Sequence, residues 1–497
     1  MSLLFKNIII RDLTKVPVRF KNHKNHWSVL RKKVEPKDKA LTYFDDFYAT
    51  IYGKDWNFIR EALMKEETKY VAVINNLSEP ERIEQELQLR GALNLKSVYN
   101  IYLQSNKNKE KKVADVEIKS EKLNQIISNV QMTKIESSLP EDYNVSLKTE
   151  TSLKDDKEKS DDFETQINVQ LRSLEEDLQD YEPDLERIVD LNDGNAALNE
   201  YVPATQLKGM EDWVLESDHY AFYDKGADFS VMSIEEQVLL FPERLKVYTF
   251  EEGSKERFPS PKKGAAGVSD YFLFDGGSIL PVLALDVRPG DLVLDMCAAP
   301  GGKTLAILQT FNPALFVAND ISMSRVNRIN KVLNEFLGEI ENSQLFVTCN
   351  DARSIEDIDL YNKILVDVPC TTDRHNLHTD ENNLFKPSRL QERMKLPELQ
   401  MEILTNALKI VAKGGTVVYS TCTLNPIQND GVVQAALKNC WEQTSHEMVV
   451  KDLSVALSPL NCLFKFGNYG LKHGHLVIPT IRKNWGPMYF CKIMRVK

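Results

Sequence analysis

A chain of 497 residues with a formal charge of −11 is long enough for two or three domains, and no apolar run in it reaches the ~20 residues of a membrane-spanning helix. Seven cysteines, an odd number with no C-x-x-C pair, argue against a disulfide framework and structural zinc and for a reducing compartment. The acidity does not exclude a nucleic-acid partner. All of it falls in residues 106–200, which hold 24 Asp and Glu against 13 Lys and Arg, so the remainder is neutral and free to bear a basic groove.

Residues 1–34 carry nine Lys and Arg and a single acid, Asp12. That is the composition of a mitochondrial presequence, and a basic RNA-binding arm would share it. Residues 35–105 read as a small helical N-terminal region, with Tyr48, Ile51, Trp56, Ile59 and Leu63 near a 3.6-residue period. Residues 106–200 are too polar to offset their chain entropy by burial, which predicts a largely disordered acidic insert. Within it Leu171, Leu174, Leu178 and Tyr181 mark either a transient helix or a partner-docking one. Its charge predicts a path leading away from any bound phosphate chain. Residues 201–497 form the remaining domain. Lys246–Phe250 reads as a strand, 260–267 as a basic Gly-rich loop, and Val268–Leu285 as a strongly apolar stretch.

The domain is organised around LVLDMCAAPGGKT, residues 292–304: a strand, a Gly-rich turn and the start of a helix. This is the opening unit of an open α/β sheet, where ligands bind. A P-loop, G-x-x-x-x-G-K-S/T, needs glycine at Cys297, and the dinucleotide fingerprint G-x-G-x-x-G is absent. What remains is a cofactor turn in which Gly301 and Gly302 let backbone approach a ligand, with Asp295 before it and Asp320 ending the next strand to bond ribose hydroxyls. That suits S-adenosylmethionine; a Gly-rich turn of any α/β protein is the alternative. Further strands end at Asp351 and Asp367, an amphipathic helix spans Ser322–Leu337, and Pro397 suits a first helical position in a helix closed by Gly414-Gly415. TVVYSTCTL is a fifth strand, and HLVIPT and GPMYFCKIMRVK are final antiparallel strands. The pattern predicts an α/β fold with a doubly wound, mostly parallel sheet of the S-adenosylmethionine-dependent methyltransferase type.

Four strand-ending acids would share one crevice, although each alone could be a cap. The fourth strand ends Asp367-Val368-Pro369-Cys370. An amino-methylating enzyme carries an aromatic where this chain has a thiol. A second thiol, Cys422, follows the fifth strand. Carbon 5 of a pyrimidine is too weak a nucleophile to take a methyl group unless a thiolate first adds to carbon 6. Asp367 can bond the ring edge, and Lys303 is the best local candidate for a cation that favours the thiolate. Cys297, Cys349, Cys440, Cys462 and Cys491 read as buried and inert. Cys370, His375 and His378 lack a fourth metal ligand at regular spacing, so no metal is expected. Arg374, Lys386, Arg389 and Arg393 form either a phosphate-contacting loop or a solvated one.

CAAPGGKT, DVPCTTDRH and STCTL together resemble the Sun-type RNA cytosine-5 methyltransferases, and LVDVPCTTDRHNLH, ENNLFK and GPMYFCK resemble its mitochondrial, fourth branch. The resemblance covers residues 35–105 loosely and 201–497 closely. It implies Cys422 as nucleophile and Cys370 as an aid to product release. It implies cofactor contacts from Gly301, Gly302, Lys303, Asp320, Arg325, Asp351 and Asp367. It also implies mitochondrial small-subunit ribosomal RNA as substrate, a matrix location, a link to ribosome assembly and a helical-repeat partner of the mitochondrial termination-factor family. Two competing readings remain. One is a ribosome-assembly or RNA-binding factor whose methylation is dispensable. The other is DNA cytosine methylation, in which Cys370 would be the nucleophile.

Overall fold

The computed structural model describes residues 34–67, 69–104, 230–338 and 344–497. The chain divides into two units, Met1–Glu110 with Glu216–Lys497, and Lys111–Leu215. The presequence reading for residues 1–33, and the acidic insert with its Leu171–Tyr181 helix, lie outside the described residues. No helix among the described residues is long and apolar enough to cross a membrane.

The first unit begins with helices α1 (Pro36–Tyr52) and α2 (Trp56–Met64), then strand β1 (Tyr70–Ile74), helix α3 (Pro80–Leu89) and strand β2 (Leu93–Asn94). Strands β3 (Ser233–Glu235), β4 (Val247–Thr249) and β5 (Tyr271–Asp275) follow, and β2, β4, β1 and β5 form a small antiparallel sheet in that order. Residues 35–105 are therefore not wholly helical. YVAVI is too short to show a helical period, and its pairing residues on β5 lie some two hundred positions further along, Tyr70 opposite Asp275. That pairing buries four of its five side chains.

The main sheet holds five parallel strands: β6 (Leu292–Asp295), β7 (Leu315–Asn319), β8 (Leu345–Thr348), β9 (Lys363–Asp367) and β10 (Thr416–Thr421). Their order is β10-β9-β6-β7-β8. The chain winds outward from β6 to β8, then returns to the other side of β6, so the reversal falls between β6 and β9. Crevices that bind ligands open at such reversals. Beyond β10 the sheet turns antiparallel through β14 (Met488–Arg495), which pairs with β11 (Met448–Asp452) and β13 (His475–Val477); β12 (Phe466–Gly467) closes that edge and β3 joins β11.

Adjacent residues of each central strand enter different cores. Leu294, Ile364, Val417 and Tyr419 pack with α1 and with helices α8 (Leu390–Ile410) and α9 (Val432–Gln443). Val293, Leu365 and Val418 pack with α4 (Ile279–Leu285), α5 (Gly302–Leu308) and α6 (Met323–Leu337). Burial on both faces accounts for apolar runs without alternation. A short helix, α7 (Asp373–His378), follows β9.

Several expected boundaries move. Asp320 lies one residue beyond β7 and Asp351 three beyond β8. Pro397 is not a first helical position but lies within α8. A proline there removes one backbone hydrogen bond, and burial of Leu396, Gln400, Ile403, Leu404 and Leu408 holds the helix across it. That helix ends at Ile410, and Gly414, at φ +76°, shapes the turn after it rather than its last residue.

Gly301 sits at φ +107°, a conformation that favours glycine. Gly302 has a packing role: a Cβ there would lie 2.8 Å from Phe274 and 3.2 Å from Phe272. Overpacking of this kind costs about 1–3 kcal/mol, against the up to ~1 kcal/mol alanine gains over glycine in a helix. Gly302→Ala should therefore lower Tm in a thermal melt, and an unchanged Tm would mean that both rings swing aside freely.

Candidate active site

Residues Ser420 and Asp367 are direct partners in the parallel β9–β10 ladder, which sets the ends of the two strands level. Cys370, three residues past β9, and Cys422, one past β10, therefore meet with their Sγ atoms 3.2 Å apart. The Cys422 backbone N–H also points at Cys370 Sγ, at 3.4 Å. Cys370 is buried and Cys422 half-buried. Hydrogen bonding from Cys422 lowers the Cys370 thiol below its ordinary range despite burial. The same contact, with burial, raises that of Cys422. The contact thus favours the thiolate at Cys370 and the thiol at Cys422.

Lys303 Nζ lies 2.7 Å from Asp367 Oδ2, and Ser420 Oγ donates to Asp367 Oδ1 at 2.8 Å. Lys303 is the expected cation, but its close partner is this carboxylate, not a thiol. Burial works against its charge, yet Asp367 more than offsets that and holds its pKa above the ordinary range. Its positive charge in turn favours ionisation of Cys422.

The other strand-end acids divide by what occupies them. Asp295 is buried, accepts a 2.6 Å bond from Thr304 Oγ1, and is pushed by burial up to about 7. Its Oδ1 has no partner among the described residues. It ties β6 to α5. Asp351 accepts from the Arg353 backbone N–H at 3.0 Å and pairs with its guanidinium at 2.7 Å, so capping explains its carboxylate. Asp320, only 2% exposed, accepts from Ala299 N–H at 3.3 Å and Ser322 N–H at 3.2 Å, and pairs with Arg325 at 3.2 Å. Arg325 also donates to the Ala299 carbonyl, clasping the turn that ends at Gly301. A carboxylate offers about four acceptor positions, so Asp320 retains one. Carboxylates beside a tight turn at the reversal of strand order fit a ribose and a positive sulfonium better than a phosphate.

The loop after Cys370 is structural more than phosphate-binding. Arg374 turns inward and donates to the Gly486 carbonyl at 2.7 Å and to Asn484 Oδ1 at 2.9 Å. Arg389 pairs with Glu392, and Arg393 lies over the Phe385 ring at 4.3 Å. His378 Nε2 lies 2.7 Å from the Leu63 carbonyl and His375 Nε2 3.0 Å from that of Glu381. Cys297, Cys440 and Cys491 are buried, with burial pushing each thiol up. Cys349 and Cys462 are half-buried, not buried as expected.

Sequence reasoning missed Asp373. It is fully buried, and its carboxylate accepts from Tyr48 Oη at 2.9 Å, Thr423 Oγ1 at 2.8 Å, Thr371 Oγ1 at 2.9 Å and the Leu424 N–H at 2.7 Å. Thr371 follows Cys370 and Thr423 follows Cys422, so one carboxylate holds both cysteine loops together. Tyr48 brings α1 to the same point. Burial pushes the Asp373 carboxyl up against these bonds, and burial with the Asp373 charge pushes the Tyr48 phenol up. A polar Thr-Thr-Asp directly after a strand was the available signal, and it reads equally as a helix cap.

A family model described as 16S rRNA methyltransferase RsmB/F matches residues 282–460. The 5-cytosine rRNA methyltransferase NSUN4 of Mus musculus is 46% identical over 256 residues, 51% of this chain and 67% of that protein. The 5-cytosine rRNA methyltransferase nsun-4 of Caenorhabditis elegans is 33% identical over 480 residues, 93% of this chain and 92% of that protein. The mitochondrial tRNA (cytosine(34)-C(5))-methyltransferase of Danio rerio is 38% identical over 242 residues, 48% of this chain and 65% of that protein.

Tyr48→Phe removes one hydrogen bond to a buried acceptor and should cost about 1–3 kcal/mol. A denaturant melt reads this directly, and an unchanged midpoint would mean that α1 does not depend on Asp373.

Proposed function

Given that this chain belongs to the RsmB/F, Sun-type family of RNA cytosine-5 methyltransferases, we propose that it methylates carbon 5 of cytosine in mitochondrial small-subunit ribosomal RNA through a covalent cysteine adduct. The observation that carries this reading is the Cys370–Cys422 pair, 3.2 Å apart and beside the Asp367–Lys303 ion pair. S-adenosylmethionine is the cofactor and, when bound, supplies the methyl group as an electrophile. Gly301 and the turn before it, Asp320 with Arg325, and Asp367 with Lys303 would hold it. Gly302 and Asp351 stay in that set on the family resemblance.

Cys422, the more accessible thiol, gives its proton to Cys370 and adds to carbon 6 of the cytosine. Electron density then moves onto carbon 5, which takes the methyl group. Asp367 bonds the ring edge and stabilises the adduct, and Lys303, 2.7 Å from it, holds that carboxylate in place. The carbon-5 proton passes to solvent, the Cys422 thiolate is expelled to restore the ring, and Cys370 assists release by returning to Cys422 the proton it took. The half-buried position of Cys422 against the buried one of Cys370 supports this division of roles over its reverse.

The similarity to mitochondrial relatives supports a mitochondrial matrix location, and residues 1–34 would be its targeting segment. A helical-repeat partner of the mitochondrial termination-factor family, a link to small-subunit assembly, and a tethering role for the 106–200 insert complete the proposal. Bisulfite sequencing of mitochondrial RNA with and without the protein tests the substrate. Loss of a methylated cytosine in small-subunit ribosomal RNA supports it, and loss confined to transfer RNA redirects it.

Cys422→Ala should abolish both methylation and the covalent RNA adduct, whereas Cys370→Ala should trap the adduct on a denaturing gel; failure of Cys370→Ala alone to form an adduct would reverse the two roles. Asp320→Ala should lose about 1.5–3 kcal/mol of cofactor binding, roughly tenfold or more in Kd. Calorimetry giving the wild-type affinity would remove Asp320 from the cofactor site.

A further inference from the structure

The two thiols of the crevice are placed for a bond with each other as well as for a bond with substrate. Their Sγ atoms stand 3.2 Å apart. A disulfide draws two sulfurs to ~2 Å, so a shift of about 1 Å would close it. The backbone already suits that closure. Cys370 and Cys422 follow neighbouring parallel strands whose register sets Asp367 opposite Ser420, and such strands run only ~4.8 Å apart. Asp373 ties the two loops together through Thr371 and Thr423, at 2.9 and 2.8 Å. The pairing is also selective. Cys297, Cys440 and Cys491 are buried, and the half-buried Cys349 and Cys462 lie against the carbonyls of Ile321 and Pro459, at 3.6 and 3.5 Å. No other two thiols among the described residues meet sulfur to sulfur.

Thiol oxidation starts on a thiolate that solvent can reach, and it stays reversible where a second thiol stands ready to resolve it. Cys422 is half-buried in the crevice, and a peroxide is far smaller than the cytosine that this thiol attacks. Its proton can pass to Cys370, and Lys303 favours the anion that remains. Seven cysteines that suit a reducing compartment leave no place for a permanent disulfide. Disulfides formed in such a compartment are transient, and serve catalysis or redox sensing.

We propose that Cys370 and Cys422 are a site of reversible oxidation, closed by hydrogen peroxide into a disulfide that stops methylation and spares Cys422 from irreversible damage. The proposal rests on the covalent-cysteine reading above. The pair enters the reaction with one proton, held by Cys370. The Cys422 thiolate attacks a peroxide oxygen, the O–O bond breaks and hydroxide leaves, so that Cys422 becomes a sulfenic acid. The hydroxide takes the Cys370 proton and becomes water. The Cys370 thiolate then attacks the Cys422 sulfur, the S–O bond breaks, and a second hydroxide leaves to be protonated by solvent. Two electrons pass from the sulfurs to the peroxide, and a dithiol returns them. The disulfide withdraws the nucleophile and its proton acceptor together. RNA joined to Cys422 blocks the reaction, so the free enzyme is the form that oxidises.

The test uses the full-length reduced protein, a small excess of hydrogen peroxide and a catalase quench. Wild type should lose two of its seven free thiols and the mass of two hydrogen atoms, and a non-reducing peptide map should join Cys370 to Cys422. Its covalent adduct with a small-subunit ribosomal RNA transcript should be lost at the same time. Dithiothreitol should restore both thiols and the adduct. Affinity for S-adenosylmethionine should match that of untreated protein, because the Asp320–Arg325 clasp is untouched. Cys370→Ala should form the adduct before treatment and then lose it for good, with two oxygen atoms added to Cys422. The wild-type peptide map decides the matter even if Cys370→Ala does not fold. Oxygen added to Cys422 of wild type without a link to Cys370, or a link from Cys422 to any other cysteine, would overturn the redox site and leave the methyltransferase standing. Recovery of Cys370→Ala by dithiothreitol as full as that of wild type would overturn the protective role. Untreated wild type that forms no RNA adduct, while peroxide still links the two cysteines, would instead overturn the catalytic reading.

Discussion

The site depends on one buried carboxylate. Asp373 gathers donors from α1, more than three hundred residues before it, from the loop after β9 and from the loop after β10, 50 residues further on. A buried charge is tolerated only when its acceptor positions are filled. Four short hydrogen bonds do this, and each of them also fixes a piece of chain. Because Thr371 and Thr423 neighbour the two cysteines, satisfying Asp373 sets where the thiols stand. The N-terminal helices are thereby part of the catalytic machinery's frame, through Tyr48 to Asp373 and Tyr52 to the Leu424 carbonyl.

A second polar unit sits beside the first and does different work. Lys303 and Asp367 neutralise one another at the bottom of the crevice, and Ser420 takes the remaining carboxylate oxygen. Burial alone would favour the neutral lysine; Asp367 more than offsets this for Lys303, so that a positive charge lies near Cys422. The two sulfur atoms, 3.2 Å apart, are close enough for a proton to pass from one to the other.

The parallel sheet supplies the precision. Ser420 opposite Asp367 is a register statement, and a slip of one residue would turn both away from the crevice. Burial of both sheet faces prevents such a slip, because every residue of β9 and β10 has a required side. Gly302 belongs to the same logic: it lets α5 lie against Phe274 and Phe272, and so brings Lys303 within reach of Asp367.

The sequence alone determined the sheet class, the strands that end at Asp295 and Asp367, the amphipathic helix beginning after Ser322, and the placement of both thiols at strand ends. These follow from local periodicity and from motifs whose residues lie within a few positions of one another. It could not separate acids that cap from acids that face a ligand. Asp351, Asp295 and Asp320 occupy similar sequence positions, and only their neighbours show that one caps a turn, one is buried against Thr304 and one clasps Arg325. It misplaced Pro397, because the packing that carries α8 across a proline comes from strands far away in the chain. The role of Asp373, and the hydrogen bond that Tyr48 gives it, escaped notice for the same reason. Hydrogen bonds between residues 48, 371, 373 and 423 exist only after folding has closed those loops, and no local pattern records them.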